Sequence, residues 1–149
     1  MVDDSDDDRA LFRVALRKAP AIQLLPPVAD GEQAIKYLSG TSDYADRIRH
    51  PYPELLLLDL KMPGKNGFDV LTWLGKQPNR PVIVVLSGSD QQCDIDQAFA
   101  LGADYYHVKP SELSDWIATA LNIESYARGT SPAQRGARKP AIQLSRPRL

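Results

Sequence analysis

Apolar residues recur along the chain with two alternating spacings. Leu11, Phe12, Ala15 and Leu16 fall at i, i+1, i+4 and i+5, which predicts a helix over residues 5–18. Acidic residues crowd its start, where carboxylates accept bonds from free N–H groups and suit the positive end of the helix dipole. Ala21 to Leu25 is a short apolar run closed by Pro26 and Pro27. Ala34, Ile35 and Leu38 share one face of a helix over 32–39, which Gly40 stops. Residues 41–53, rich in proline and charge, read as a loop. Leu55 to Leu58 are apolar without alternation, as in a strand buried on both faces. Phe68, Leu71 and Leu74 mark a helix over 67–77, and Val82 to Leu86 is a second buried run. Ile95, Ala98 and Phe99 mark a helix over 91–101. Residues 104–108 read as a strand ended by Lys109 and Pro110. Trp116, Ile117, Ala120 and Leu121 place a last apolar stripe on a helix over 112–126. Strand and helix in alternation predict an α/β domain with a parallel sheet and right-handed crossovers. No internal repeat is apparent.

Composition narrows the setting. A chain of 149 residues that is 43% hydrophobic can bury a core without disulfide or metal staples. The single cysteine, Cys93, excludes an intramolecular disulfide and a cysteine-based zinc site. No segment approaches the roughly 20 apolar residues of a membrane span. No basic segment followed by an apolar one opens the chain, so a cytoplasmic protein is expected, with no membrane partner. The formal charge of −1 hides a division. Residues 1–124 hold 12 basic and 19 acidic residues, whereas residues 125–149 hold six basic and no acidic ones. The expected organisation is therefore an acidic domain over 1–124 and a basic, disordered tail over 125–149. An acidic body argues against a nucleic-acid-binding domain.

In parallel sheets of this kind, ligands bind outside the carboxyl ends of the strands. The residues there are Asp3 and Asp4, Asp59, Ser87 and Lys109. Carboxylates packed together repel, and a hard divalent cation relieves the repulsion. Mg²⁺ suits oxygen ligands and bridges to phosphate. A carboxylate so placed can attack a phosphoryl group to form an acyl phosphate, with ammonium and hydroxyl groups on the phosphoryl oxygens. Other polar residues take plainer readings. Asp6, Asp7 and Asp8 read as helix caps, and Ser89 or Asp90 as the cap of the helix that follows. His50 and His107 lack partners at ligand spacing, and Trp73 and Trp116 read as packing residues.

The segments VDDSDDD (2–8), LLLLDLKMPGKNGFDVL (55–71), VIVVLSGSD (82–90) and DYYHVKP (104–110) together resemble the receiver domains of two-component response regulators. The resemblance covers residues 1–124. It is closest to small stand-alone receivers paired with phytochrome histidine kinases, through YADRIRHPYPELLLLDLKMP (44–63) and DVLTWL (69–74). It implies a flavodoxin-like (βα)5 fold with strand order 2-1-3-4-5. Asp59 would be the phosphoacceptor. Asp3, Asp4, Asp59 and the backbone carbonyl of Lys61 would bind Mg²⁺. Ser87 and Lys109 would contact the phosphoryl group, and Gly88 would leave access to it. Ser87 and Tyr106 would form the conformational switch. The resemblance further implies a cis bond before Pro110, which would orient Lys109.

As a regulator rather than an enzyme, such a chain would take its phosphoryl group from a sensor histidine kinase or phosphotransfer protein. It would signal to a downstream protein partner, and a homodimer through the fourth and fifth helices is compatible with this. Two departures stand out. Only Met1 and Val2 precede the acidic pair, so the first strand is truncated and a start upstream of Met1 is expected. Asn66 stands where the family usually has Asp, in a turn outside the site. Rival chemistries fit less well. A haloacid-dehalogenase-like phosphatase needs a second Asp where Lys61 stands, and a nucleotide-binding protein needs a phosphate loop that is absent. The remaining alternative is a degenerate receiver that binds partners without phosphorylation.

Overall fold

The computed structural model of the chain describes residues 1–129 and 141–142. The apolar runs form β1 (Leu55–Leu58), β2 (Val82–Ser87) and β3 (Tyr105–Val108). They pair in parallel in the order β1-β2-β3, with Leu56 opposite Ile83 and Val84 opposite Tyr105. Beyond β1 the sheet continues through single residues, because Val2 bridges in parallel to both Leu58 and Val28. The spatial order is thus Val28, Val2, β1, β2, β3. Counting Val2 as the first strand and Val28 as the second, this is the expected order 2-1-3-4-5. The apolar run Ala21–Leu25 is not itself a strand.

At the far edge, β4 (Ala141–Ile142) adds in parallel to β3, with Ala141 opposite Tyr105 and Ile142 opposite Tyr106. The expected tail begins inside a helix that runs on to Arg128. The expectation of disorder for residues 130–140 and 143–149 lies outside the described residues.

Among the described residues, five helices flank the sheet: α1 (Asp6–Ala15), α2 (Gly31–Ser39), α3 (Gly67–Leu74), α4 (Gln92–Ala100) and α5 (Leu113–Arg128). A 3₁₀ turn, Leu16–Lys18, completes the first predicted helix. Leu56, Leu58, Ile83, Val85 and Tyr106 pack with Leu38, Leu71 and Ile95 of α2, α3 and α4. Leu57, Val82, Val84, Leu86 and Tyr105 pack with Phe12, Trp116 and Ile123 of α1 and α5. β1, β2 and β3 are therefore covered on both faces, which is why their sequences show no polar alternation. Leu121, expected to face inward, is 44% exposed, off the buried stripe of Trp116, Ala120 and Ile123.

Local chemistry sets the helix ends. Ser5 caps α1 by accepting from the Asp8 N–H at 3.2 Å. Asn66 and Asp69 form a reciprocal capping box on α3. Gly40 ends α2 at φ 67°, and the Arg47 guanidinium beside it donates to the carbonyls of Tyr37 and Leu38. Gly67 meets the loop after β1 so closely that a Cβ there would sit 2.2 Å from the Asp59 carbonyl oxygen. That contact fixes the start of α3 against the backbone of Asp59.

The thin flank of the sheet leaves a cleft of about 400 Å³, lined by Ile22, Leu24, Val28, Leu55, Leu57 and Ile123, among others. Val2 donates to the Leu57 carbonyl at 2.8 Å and accepts from the Asp59 N–H at 2.9 Å. The N–H and C=O of one strand residue face the same edge. Leu57 therefore turns its N–H toward the cleft, where no described backbone group pairs with it. No helix among the described residues is long and apolar enough to cross a membrane.

Candidate functional site

The carboxyl ends of the strands meet at one edge of the sheet. Asp3 follows Val2, Asp59 follows β1, Ser87 ends β2 and Lys109 follows β3. The Lys109 N–H donates to the Ser87 carbonyl at 2.8 Å, which extends the β2–β3 ladder to the site. Asp3 is 1% exposed and Asp59 is 4% exposed. The Lys109 ammonium lies 2.9 Å from Asp3 Oδ2, 2.8 Å from Asp59 Oδ2 and 2.7 Å from Asp8 Oδ2. Asp59 Oδ1 also accepts from the Lys61 N–H at 3.2 Å, and Asp3 Oδ1 from the Ser5 N–H at 2.9 Å.

Electrostatics follow from this packing. Burial alone would lower the Lys109 pKa, but its bonds to Asp59, Asp8 and Asp3 outweigh burial and hold it above the ordinary range. Burial raises the Asp3 carboxyl, although the bonds from Lys109 and Ser5 oppose the rise. The site thus concentrates more negative charge than one ammonium balances. One carboxylate oxygen each from Asp3, Asp4 and Asp59 lie within 4.8 Å of one another, with Asp4 exposed and the other two buried. An all-oxygen donor set with excess charge fits a hard divalent cation.

The opposite wall comes from the loop after β2. Ser87 is fully buried, and its hydroxyl accepts from the Ser89 N–H at 3.4 Å. Next to it, a Cβ placed on Gly88 would meet nothing within 4 Å. Tyr106 is buried in the α2–α4 core and donates its hydroxyl to the Ser89 carbonyl at 2.8 Å. Burial pushes the Tyr106 phenol up to about 12. Tyr106 is thereby tied to the loop that begins at Ser87. The Ser89 hydroxyl donates to Asp94 at 2.5 Å, and Lys61 Nζ lies 2.8 Å from the same carboxylate. Neither Ser89 nor Asp90 caps α4. Its N-cap is Gln91, with no side-chain cap bond, and the Ser89 hydroxyl accepts instead from the Gln91 N–H at 3.4 Å.

The remaining residues fall where their plainer readings put them. His107 is buried against α5, with Nε2 3.1 Å from the Tyr126 hydroxyl. His50 packs edge-on against Tyr37 and Tyr44. Trp116 packs edge-on against Phe12. Two features depart from expectation. The bond before Pro110 is trans, and Lys109 is oriented by its three carboxylate partners instead. Asp8, read from the sequence as a cap, is a site residue. Side chains on a helix tilt toward its N-terminus. The N-terminus of α1 abuts the carboxyl edge of the sheet, so the first-turn Asp8 reaches back to Lys109. Only the spacing of one helical turn from Asp4 hinted at this.

Comparison with known proteins places this geometry. The family described as response regulator receiver domain matches residues 1–121. Response regulator Rcp1 of Synechocystis is 30% identical over 128 residues, covering 85% of each chain. A Mn²⁺-bound crystal structure of Rcp1 superposes with a TM-score of 0.74 over 84% of this chain and 89% of that one, at 31% identity. The crystal structure of the response regulator RPA3017, in red light signaling of R. palustris, gives a TM-score of 0.77. It is 31% identical, over 84% of this chain and 90% of that one. The phosphorylated cyanobacterial phytochrome response regulator RcpA gives 0.74 at 32% identity, over 87% and 92% of the two chains.

Proposed function

The chain belongs to the response regulator receiver family of two-component signalling, and on that premise we propose that it accepts a phosphoryl group on Asp59 with Mg²⁺ bound beside it. The observation that carries the proposal is the buried Asp59 carboxylate, which shares one ammonium, Lys109, with buried Asp3. An Asp59 oxygen attacks the phosphorus of a phosphohistidine, the O–P bond forms, and the P–N bond breaks with its electron pair on the histidine. Lys109 and the Ser87 hydroxyl stabilise charge on the phosphoryl oxygens. Asp3, Asp4, Asp59 and the Lys61 carbonyl are the groups that would hold Mg²⁺. When bound, the cation supplies charge neutralisation on the transferring oxygens. The Mn²⁺ in the crystal structure of Rcp1 supports an ion in such a site.

Ser87 and Tyr106 are the proposed switch. Tyr106 is held by the Ser89 carbonyl, so a Ser87 drawn toward a phosphoryl group disturbs the loop that anchors it. The donor is a sensor histidine kinase or phosphotransfer protein, and the readout is a protein partner or a second copy of the chain on the face of α4 and α5.

Acetyl phosphate with Mg²⁺, followed by intact mass spectrometry, tests the reading. The expected result is one phosphoryl adduct on the wild type and none on Asp59→Asn. No adduct on the folded wild-type chain would instead support a receiver that binds partners without phosphorylation.

A further inference from the structure

We infer that Asp8 is a specificity-determining residue: it occupies Lys109 in the unphosphorylated state and raises an electrostatic barrier against small dianionic phosphodonors. The inference rests on the reading of Asp59 as phosphoacceptor. An ammonium group has three N–H donors and no others. Here three carboxylates, from Asp3, Asp8 and Asp59, lie within hydrogen-bond distance of Lys109 Nζ. An incoming phosphoryl oxygen therefore reaches a Lys109 donor only by displacing one of them.

The three partners are not equally displaceable. Asp3 is 1% exposed and is also held by the Ser5 N–H. Asp59 is the nucleophile. Asp8, with a side chain 27% exposed, stands at the solvent side of the cluster and receives from the described residues only Lys109. It is also outside the trio of Asp3, Asp4 and Asp59 that converges as a candidate cation site. Asp8 is thus the partner that must release Lys109, and its charge faces whatever enters.

For acetyl phosphate the step is a simple displacement. The Asp59 O–P bond forms, the P–O bond to the acetyl group breaks, and acetate leaves with the electron pair. One Lys109 N–H turns from Asp8 to a phosphoryl oxygen as this happens. The donor dianion is repelled by the Asp8 carboxylate throughout. A donor of lower charge, such as the phosphoramidate zwitterion, is repelled less. A protein donor that brings its own cations is not disadvantaged in the same way, so Asp8 favours it over metabolic phosphodonors.

The test compares the full wild-type chain with Asp8→Asn, Asp8→Glu and Asp59→Asn at constant Mg²⁺, with adduct formation timed by mass spectrometry. With acetyl phosphate at low salt, Asp8→Asn is expected to react about tenfold faster than wild type, and about threefold faster with phosphoramidate. Both gains shrink at high salt, and Asp8→Glu stays within about twofold of wild type because the charge is kept. A metal-free readout is the ¹⁵N ammonium signal of Lys109, whose protons should exchange faster with water in Asp8→Asn. Equal gains with both donors at both salt concentrations, no gain at all, or an unchanged Lys109 signal would each overturn the inference. An adduct that persists in Asp59→Asn would overturn the phosphoacceptor reading instead.

Discussion

On one side of β1, four consecutive residues pair with β2, and β2 pairs with β3 in the same way. On the other side, among the described residues, Val2 joins the sheet to β1 with two hydrogen bonds, to the strand and to its extension at Asp59. Both flanks contribute to the site. Asp3 comes from the thin flank, while Asp59, Ser87 and Lys109 come from β1 and the thick one. The candidate site is therefore built across a seam between a well-closed half-sheet and a lightly tied one. Lys109 spans the seam, because its ammonium holds Asp3 to Asp59. The lesson is that a site can keep its geometry on a thin scaffold when an ion-pair cluster substitutes for ladder hydrogen bonds.

The largest effect should come from the thick flank. Leu58 is fully buried between the sheet and α2–α3. Leu58→Ala is expected to cost about 4 kcal/mol, from lost burial and an unfilled cavity. Urea unfolding of the two proteins measures it. A cost below about 1 kcal/mol would mean that the closed half-sheet does not dominate stability.

Next in size is the seam itself. Lys109→Met removes the counter-ion of two buried carboxylates and should cost about 3 kcal/mol without divalent cation. Adding Mg²⁺ should recover part of the loss, because the cation can neutralise Asp3 and Asp59 in place of the ammonium. Melting curves with Mg²⁺ and with chelator check both halves. If the variant melts like wild type in chelator, Lys109 does not tie the flanks.

A third effect concerns acid. Burial lowers the His107 imidazole from 6.5 to about 4, so the folded protein holds it neutral at pH values where the unfolded chain protonates it. Its contribution is complete above pH 6.5 and is lost as pH falls from 6.5 through 4. The full loss is about 3 kcal/mol. His107→Phe keeps a ring against Tyr126 but cannot titrate, so its stability curve should be flatter over that window. Parallel curves for the two proteins would show that other groups govern the acid loss.

These effects also mark what the sequence could convey. Val82 to Leu86 and Leu55 to Leu58 were legible as strands because helices on both faces demand apolar side chains at every position. Asp59, Ser87 and Lys109 were legible because a parallel sheet carries its strand ends to one edge. The reach of Asp8 was not, since a first-turn Asp looks the same whether it caps a helix or faces a sheet edge. Ala21–Leu25 was legible only as an apolar run, since strand formation needs a partner ladder and Val2 pairs there through one residue, Val28. β4 was hidden in a proline-rich polar segment without a period. Yet the pentapeptide Pro20–Leu24 recurs at Pro140–Leu144, so the chain does carry one short repeat. Ala141 and Ile142 of the second copy pair with β3.

The smallest effect should come from the cleft. Leu24 is only partly buried and packs beside Leu55 at the rim of the α1–α5 core. Its neighbours already border a cleft, so Leu24→Ala removes few contacts and creates little new void. A cost under about 1 kcal/mol follows, against about 4 kcal/mol for Leu58→Ala. The backbone makes the same point without mutation. Leu56 turns toward β2 and is paired in that ladder, whereas Leu57 turns its N–H toward the cleft. The Leu57 amide should exchange with solvent about a hundredfold faster than the Leu56 amide, as a locally open group does beside a closed one. Equal protection of the two amides, together with a Leu24→Ala cost equal to that of Leu58→Ala, would show the thin flank to be closed in solution. The seam would then lie elsewhere, and Asp3 would need no help from Lys109 to stay in place.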